Sequence, residues 1–256
     1  MGEKIMYKSE RESEILEIME SNGYVTVEYL AQKLHVSPSS VRRDLAVLEQ
    51  KGMLRRSYGG AEISDSTNRN TPFSLRSHEN AVSKKRIARA AVKLVKEGDV
   101  VFVDGSSTAF FLFEELVSVK GITILTNSID GLFFLSSYGV RALSTGGMVS
   151  PENRAVLVGE QVKNAFAAVR ADIAFFSVAS LGKTGDLFDC YMDEVPLRRV
   201  MLQYARKKVL LLDGTKVGFE AAYFQGTLSD VDSVICDRPI ESDYAEHFPK
   251  VKFHII

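Results

Sequence analysis

The fold of the N-terminal region is decided by a stretch of ten residues, Val36-Ser37-Pro38-Ser39-Ser40-Val41-Arg42-Arg43-Asp44-Leu45. Apolar residues recur at Val41, Leu45 and Leu48, and this spacing places them on one face of a helix. A serine directly before a proline is a typical helix start, because serine caps free backbone N–H groups and proline suits the first helical turn. The stretch therefore predicts a helix over 38–50 with a polar, basic outer face.

Two shorter helices are predicted before this one, and a hairpin after it. Residues 9–21 and 26–34 also carry apolar side chains at helical spacing, which indicates one small shared core. Further on, the runs 53–57 and 61–63 flank Tyr58-Gly59-Gly60, whose glycines suit a tight turn. Three helices followed by a hairpin are typical of a winged helix-turn-helix.

The helix over 38–50 is the candidate for reading DNA. In a helix-turn-helix the second helix of the pair enters the major groove, where arginine bonds guanine through two hydrogen bonds and serine bonds phosphate or base. We expect contacts to double-stranded DNA from the outer face of this helix and from the hairpin, at Ser37, Ser39, Ser40, Arg42, Arg43, Arg55, Arg56, Tyr58 and Gly59.

The charge distribution narrows the class of nucleic-acid binder. With 32 Lys and Arg against 33 Asp and Glu, the chain has a net charge of -1, which excludes a protein that is basic throughout. Residues 37–60 alone hold five basic and two acidic residues, a local excess of +3. Two alternatives stay open on these residues: an ordinary solvated helix face, and a helix-turn-helix that docks another protein.

The rest of the chain predicts a second domain of another class. Strand-like runs begin at Val100, Ile122, Val140, Ile173, Val209 and Val234, separated by about 20 to 30 residues of helix and loop. Such long connections predict an α/β fold with an open, mostly parallel sheet. Polar turn formers after Glu62 indicate a linker. We expect a DNA-binding domain over 1–64, a linker over 65–80 and an α/β domain over 81–256.

The turn after the first of these strands is a candidate anion site. The strand over 100–103 runs into Asp104, Gly105, Ser106, Ser107 and Thr108, and a helical pattern follows. Free N–H groups, hydroxyls and the positive end of a helix suit a phosphate. The alternative reading is that these serines only cap the helix.

Other strand ends of an open α/β sheet converge on one crevice. We expect further ligand contacts from turns at the ends of other strands and from the head of a later helix, at Thr126, Asn127, Gly146, Gly147, Glu194 and Lys216. Each also has a structural reading as a turn former, a helix-start charge or a surface lysine.

The chain resembles the DeoR family of bacterial transcriptional regulators. The similarity runs from the decisive stretch through Tyr58-Gly59-Gly60-Ala61 and Thr71-Pro72-Phe73 to Asp104–Thr108. It implies a repressor of a carbohydrate-utilisation operon, with a C-terminal domain that resembles ribose-5-phosphate isomerase. By this resemblance the 104–108 loop binds the phosphate of a sugar-phosphate effector, and the protein is a homodimer or homotetramer.

Departures from the family pattern are few. Ser40 and Val41 stand where threonine and isoleucine are usual, and Tyr58 replaces a common histidine. The family's glycine-acid segment after the strand over 172–176 is here Ser177-Val178-Ala179-Ser180-Leu181. Asp44 is interpreted as orienting Arg42 or Arg43.

An enzyme is the main rival hypothesis. A sugar-phosphate isomerase needs a carboxylate base beside the substrate carbons, and Glu194 and Lys216 supply only part of that chemistry. We therefore expect a sensor rather than an enzyme. The four histidines are dispersed, so neither a metal nor a cofactor is expected. The apolar runs are too short to span a membrane and residues 1–12 lack a signal-peptide core, which predicts a cytoplasmic protein.

Overall fold

The structure, a computed structural model, describes residues 11–256 except 13, 17, 20–23, 51–52, 58, 64–72 and 241, without the side chains of 55, 57, 62, 63, 74, 75, 242 and 243. The chain divides into two compact units, Met1–Glu79 and Asn80–Ile256. Of the predicted linker over 65–80, residues 65–72 lie outside the described part and Phe73–His78 form a helix. No helix of the described residues is long and apolar enough to cross a membrane.

The first unit contains four helices and three strands within its described residues. Helix α1 includes residues 11, 12, 14–16, 18 and 19. The other elements are β1 (Tyr24–Thr26), α2 (Val27–Lys33), α3 (Pro38–Gln50), β2 (Leu54–Ser57), β3 (Gly60–Ile63) and α4 (Phe73–His78). The strands form an antiparallel sheet in the order β1-β3-β2, in which β2 and β3 make the hairpin. The predicted winged helix-turn-helix is confirmed.

One apolar core holds α1, α2 and α3 together. Buried side chains from the three helices meet there, and they are those that the periodicity indicated: Ile15, Leu16, Met19, Leu30, Val41, Leu45 and Leu48. Both helices of the helix-turn-helix, α2 and α3, start with a cap. The Thr26 side chain accepts a hydrogen bond from the N–H of Tyr29 (3.1 Å), and Ser37 Oγ accepts one from the N–H of Ser40 (3.2 Å).

The turn between α2 and α3 depends on a left-handed histidine. His35 has a φ of 53°, a conformation that residues other than glycine rarely adopt. It lets the N–H of Val36 reach back to the carbonyl of Ala31 (3.1 Å), which closes the end of α2. The turn therefore redirects the chain into α3 within four residues.

The second unit is built on a seven-stranded parallel sheet. Its strands are β4 (Val100–Val103), β5 (Thr123–Thr126), β6 (Arg141–Ser144), β9 (Ala171–Phe176), β12 (Ala205–Leu212), β14 (Ser233–Cys236) and β15 (Lys252–Ile255). They pair in the order β15-β14-β12-β9-β4-β5-β6. The predicted parallel α/β fold is confirmed. The sequence reading did not include β15.

Helices cover the sheet, and small antiparallel elements complete the unit. The helices are α5 (Ala81–Ala91), α6 (Ser107–Leu116), α7 (Ile129–Leu135), α8 (Glu160–Ala167), α9 (Glu194–Gln203) and α10 (Ser242–His247). The pair β7 (Met148–Val149) and β8 (Leu157–Val158) is antiparallel, as is the sheet formed by β10 (Ser180–Leu181), β11 (Asp186–Asp189) and β13 (Tyr223–Thr227). Two apolar cores pack on this framework, one with Phe102 and Phe176, the other with Phe113 and Phe175.

The strand order reverses between β4 and β9. From β4 the chain proceeds to β5 and β6 on one side, whereas β9, β12, β14 and β15 extend the sheet on the other. In open α/β sheets ligands bind outside the carboxyl ends of the strands at such a switch point. Asp104 follows β4 and Ser177 follows β9, so these two residues mark the expected crevice.

Candidate functional site

The outer face of α3 presents the predicted base-reading side chains to solvent. Ser39, Arg42 and Arg43 are exposed. Arg42 forms an exposed ion pair with Glu28, from Nη2 to Oε1 at 3.6 Å, and its side chain is 61% exposed. The Ser37 hydroxyl bonds those of Ser39 (2.8 Å) and Ser40 (3.0 Å). The three hydroxyls thus cluster at the start of α3, beside both arginines.

Asp44 has a different role from the one interpreted from the sequence. Its carboxylate is buried and accepts hydrogen bonds from Arg11, from Nε to Oδ2 at 2.6 Å and from Nη2 to Oδ1 at 3.2 Å. This hydrogen bond raises the pKa of Arg11. The interpretation that Asp44 orients Arg42 or Arg43 is wrong: Asp44 faces α1, because it lies on the buried side of α3 with Val41, Leu45 and Leu48.

On the hairpin, the structure describes only some of the candidate DNA-contacting side chains. Tyr58 and the side chain of Arg55 lie outside the described residues. Arg56 is half-exposed and binds Glu49 on α3 through both its backbone N–H (3.0 Å) and Nε (2.6 Å), and these bonds lower the pKa of Glu49. Gly59 has a φ of 79°, and its carbonyl accepts a hydrogen bond from the N–H of Val27. The hairpin is therefore fastened to both helices of the pair.

In the second unit, the loop after β4 is organised by Asp104. One carboxylate oxygen accepts from both the N–H (3.1 Å) and the hydroxyl (2.6 Å) of Ser106, and the other from the N–H of Ser177 (3.3 Å). Ser106 in turn caps α6 by accepting from the N–H of Ala109 (3.2 Å). The capping role is thus observed for Ser106, while the hydroxyls of Ser107 and Thr108 point to other partners.

Two ammonium groups reach those hydroxyls. Lys84 Nζ donates to Ser107 Oγ (3.3 Å), and Lys216 Nζ donates to Thr108 Oγ1 (3.3 Å) and Ser177 Oγ (3.1 Å). Lys84 was missed by sequence reasoning. It is 2% exposed and occupies the first position of the buried stripe of α5 that continues with Ile87, Ala88 and Ala91. A lysine on that otherwise apolar stripe was the available signal.

Asp213 partly balances the two lysines. Its Oδ2 lies 3.7 Å from Lys216 Nζ. Burial alone favours the neutral acid, but Lys216, the hydrogen bonds from Thr215 and the nearby Lys84 outweigh it, so the pKa of Asp213 is lowered. The start of α6 therefore faces two cations and one anion, in addition to the positive end of its own dipole.

On the other side of the loop, Arg198 collects three carboxylates. Its side chain is 5% exposed and contacts Asp104 (Nε, 3.1 Å), Glu194 (Nη2, 3.4 Å) and, in a short hydrogen bond, Asp189. Burial alone would lower the pKa of Arg198, but the three carboxylates raise it above its ordinary value. Arg198 thus joins Glu194 to the 104–108 loop. Arg198 was not among the residues predicted from the sequence.

The remaining predicted residues differ in their relation to the loop. Asn127 lies beside Gly105, where an added Cβ would stand 3.7 Å from Asn127 Oδ1 and 2.1 Å from Val156 Cγ1, so only glycine fits. Thr126 is buried and accepts from the N–H of Ser128. Gly146 and Gly147 follow β6 with positive φ angles and are exposed. Within the described residues, neither glycine is hydrogen-bonded to the 104–108 loop; Gly146 instead bonds Ser144 and Thr145.

A small cleft opens where these groups meet. It is lined by Asp104, Gly105, Asn127, Phe166, Glu194, Leu197, Arg198 and Met201. As it stands, this cleft has room for roughly one water molecule. Its polar lining is mainly of hydrogen-bond acceptors, whereas Lys84 and Lys216 supply donors to Ser107 and Thr108.

Each of the two units matches the model of a known domain family. The model of the DeoR-like helix-turn-helix domain matches residues 11–67, and that of the DeoR C-terminal sensor domain matches residues 79–238. The HTH-type transcriptional regulator GolR of Listeria innocua is 31% identical over 95% of this chain and 96% of its own. The glycerol-3-phosphate regulon repressor of Escherichia coli is 27% identical over 91% and 92%.

Among solved structures, ribose 5-phosphate isomerase A of Methanocaldococcus jannaschii matches 54% of this chain and 55% of its own, with 20% identity and a TM-score of 0.41. A likeness at this level does not bear on activity. The two family matches cover both units, and the family consists of regulators rather than enzymes. The chain belongs to the DeoR family of DNA-binding transcriptional regulators, with an N-terminal helix-turn-helix and a C-terminal sensor domain.

Proposed function

We propose that this chain represses a carbohydrate-utilisation operon in the cytoplasm and that a phosphorylated sugar changes its hold on operator DNA. The sugar phosphate binds at the carboxyl ends of β4, β9 and β12. The proposal includes the domain limits: a DNA-binding domain over 1–64, a linker over 65–80 and an effector-binding α/β domain over 81–256. The naming of one relative after the glycerol-3-phosphate regulon supports a phosphate ester as the class of effector.

The observation that carries the proposal is the placing of Lys84 and Lys216 at the positive end of α6. Burying an ammonium costs free energy unless it is compensated, and a helix N-terminus repels cations. Two lysines on consecutive hydroxyls of this helix start, with Asp213 as the nearby carboxylate, therefore leave a site that favours an anion. A phosphomonoester supplies up to two negative charges and three acceptor oxygens for the backbone N–H groups and hydroxyls.

The other expected contacts have their own part in the proposal. Asp104, Gly105 and Ser106 shape the loop, Ser107, Thr108 and Lys216 bind the phosphate, and Glu194 with Asn127 binds the remainder of the effector. Thr126 supports the neighbouring turn, and Gly146 and Gly147 border the crevice beside β5. Lys84 is added to this set from the structure.

DNA is read from α3. Arg42 and Arg43 contact base edges, Ser37, Ser39 and Ser40 contact phosphate or base, and Arg55, Arg56, Tyr58 and Gly59 on the hairpin contact the backbone. A single small domain of this kind buries limited DNA surface, so a homodimer or homotetramer that engages several half-sites gains affinity through avidity.

A thermal-shift experiment tests the effector site. The wild-type chain is heated with inorganic phosphate, ribose 5-phosphate, fructose 6-phosphate and glycerol 3-phosphate, and with ribose, fructose and glycerol. A ligand that binds only the folded state at a hundred times its Kd stabilises by about 2.7 kcal/mol. We expect a phosphorylated member to raise the Tm of the sensor domain, and its unphosphorylated counterpart to leave it unchanged.

Matched variants test whether the stabilisation by ligand depends on the proposed site. Ser107→Ala, Lys84→Met and Lys216→Ala should each reduce the stabilisation, whereas Lys163→Ala, which removes a lysine paired with Glu160 on the surface of α8, should not. Equal stabilisation by sugars and their phosphates, or an unchanged response in all three site variants, would contradict the proposed site.

A further inference from the structure

Three buried side-chain oxygens have no hydrogen-bond partner among the described residues; one belongs to a residue that lines the cleft, and two to residues next to or bonded to Glu194. They are Asn127 Oδ1, Asn153 Oδ1 and Asp193 Oδ1. Asn127 is 6% exposed and Asn153 3% exposed. Buried polar atoms in folded proteins nearly always find a partner, and one left without it is destabilising. Asn127 lines the cleft, Asn153 binds the cleft residue Glu194, and Asp193 directly precedes Glu194, so the three oxygens need a common explanation.

The orientation of the two amides is fixed by their other bonds. Asn127 Nδ2 donates to the carbonyl of Leu157 (3.1 Å), and Asn153 Nδ2 donates to Glu194 Oε1 (2.6 Å). Reversing either amide would set its oxygen against another acceptor. The atoms without partners are therefore oxygens, and a group that satisfies them must present hydrogen-bond donors.

The three residues belong to one local framework. Asn127 and Glu194 line the cleft together. Ser150 donates to Asp193 Oδ2 (2.9 Å) and accepts from the N–H of Asn153 (3.1 Å), while Asn153 binds Glu194. The segment 150–153 is thus fastened to the start of α9, and its spare acceptors accompany the carboxylate of Glu194.

The charges of this corner oppose those of the phosphate loop. Arg198 meets Asp104, Asp189 and Glu194, so the cluster carries an excess of two negative charges when all are ionised. A second phosphate or a carboxylate is repelled here, whereas neutral hydroxyl groups are not. On the far side of the loop, Lys84 and Lys216 favour the anion.

We infer that Asn127, Asn153 and Asp193, with Glu194, form a subsite that reads the hydroxyl groups of the effector and fixes its direction. This inference rests on the proposed function. The ligand class is a monophosphate ester of a polyol or neutral sugar, with its phosphate at Ser107 and Thr108 and its hydroxyl-bearing carbons at the acceptor side. Bisphosphates and phosphorylated sugar acids are disfavoured. Because the cleft holds roughly one water molecule, ligand entry moves the segment 150–153 or the start of α9 outward.

Two variants remove these acceptors, the first of them with little change of volume. Asp193→Asn keeps an oxygen for Ser150 and replaces the unpartnered oxygen by an NH2 group, and Asn153→Ser removes the amide oxygen altogether. Glu160→Gln is the control, since it neutralises a carboxylate whose side chain is 68% exposed at the start of α8. Thermal melting without ligand confirms that each variant folds.

Isothermal titration of the full chain then compares ribose 5-phosphate, sorbitol 6-phosphate and glycerol 3-phosphate with propyl phosphate, which lacks hydroxyls. We expect at least one hydroxylated ester to bind at least about tenfold more tightly than propyl phosphate, and Asp193→Asn and Asn153→Ser to lower that ratio about tenfold without weakening propyl phosphate. Fructose 1,6-bisphosphate and 6-phosphogluconate should bind no more tightly than propyl phosphate.

The possible failures are distinct. If propyl phosphate and the hydroxylated esters bind but both variants leave their ratio unchanged, or weaken all of them equally, the hydroxyl subsite is wrong and the phosphate site stands. If no phosphate ester binds the wild-type chain, the proposed function and this inference are both overturned.

Discussion

Arg11 on α1 binds the buried carboxylate of Asp44 on α3 through two hydrogen bonds, from Nε at 2.6 Å and from Nη2 at 3.2 Å. Asp44 directly follows Arg43, but it lies on the inner side of α3. The ion pair therefore fixes α3 against α1 and leaves the outer face of α3, with Arg42 and Arg43, facing solvent.

Asp44→Ala should loosen α3 without changing which DNA sequence it reads. Removing one partner of a buried pair leaves the other charge uncompensated, and because Arg11 retains some exposure we expect a loss of about 2 kcal/mol. Hydrogen exchange of α3 in the full chain measures this loss. Binding to a selected DNA site against a scrambled site reports selectivity. Lost selectivity with unchanged exchange would mean that Asp44 acts on the base-reading arginines after all.

Arg42→Ala and Arg43→Ala should act on selectivity. A bidentate arginine–guanine contact contributes about 1 to 3 kcal/mol of discrimination, so the preference for the selected site should fall about 5- to 150-fold. The exposed ion pair of Arg42 with Glu28 contributes little to stability, so folding and effector binding should be unchanged. Lys33→Ala, which removes a positive charge at the end of α2, should leave selectivity intact. If both arginine variants keep the wild-type preference, α3 does not read base edges.

His35→Gly should stabilise the first unit. The left-handed conformation costs a residue with a side chain roughly 1 to 2 kcal/mol, and glycine avoids this cost. Because glycine loses more conformational entropy on folding, part of that gain is offset. We expect a net gain of about 0.5 kcal/mol in hydrogen-exchange free energy for α2 and α3. Lys33→Gly, two residues earlier and inside α2, should have the opposite sign, by up to about 1 kcal/mol. A loss of stability in His35→Gly would show that the imidazole makes a needed contact.

Arg198→Met should strongly lower the free energy of unfolding of the second unit. It leaves Asp104, Asp189 and Glu194 buried without their common cation, a change that costs about 3 to 5 kcal/mol when a buried pair is broken. Arg206→Met is the matched control, since that side chain is 78% exposed and its pair with Asp172 is worth less than about 1 kcal/mol. Urea unfolding and hydrogen exchange of the sheet measure the stability loss of each of the two variants. Similar losses in both variants would contradict the structural role of the buried cluster.

Local patterns were enough to predict much of the fold. The helices over 38–50 and 26–34 follow from apolar spacing and from capping by Thr26 and Ser37, which are interactions within a few residues. The parallel sheet follows from apolar runs separated by long connections. The strand β15 was not predicted, and its partner β14 is what identifies it.

Contacts between distant residues were beyond these patterns. Arg198 meets Asp104 across 94 positions and Lys84 meets Ser107 across 23, so neither pairing follows from local spacing. Asp44 was misread for the same reason, because its partner lies 33 positions earlier on another helix. Burial supplies the missing information, since a buried charge requires a compensating group that only the folded chain identifies.

The most direct test joins the two units in one measurement. DNA sites are first selected from a random double-stranded pool, and the Kd of the full chain for the best site is measured with and without each phosphate ester that stabilises the sensor domain, at several salt concentrations. The account predicts specific binding that weakens steeply with salt. It also predicts a change of at least about fivefold in Kd with a bound ester, lost in Lys216→Ala. Binding of an ester that leaves the DNA Kd unchanged, or no specific DNA binding at low salt, would contradict it.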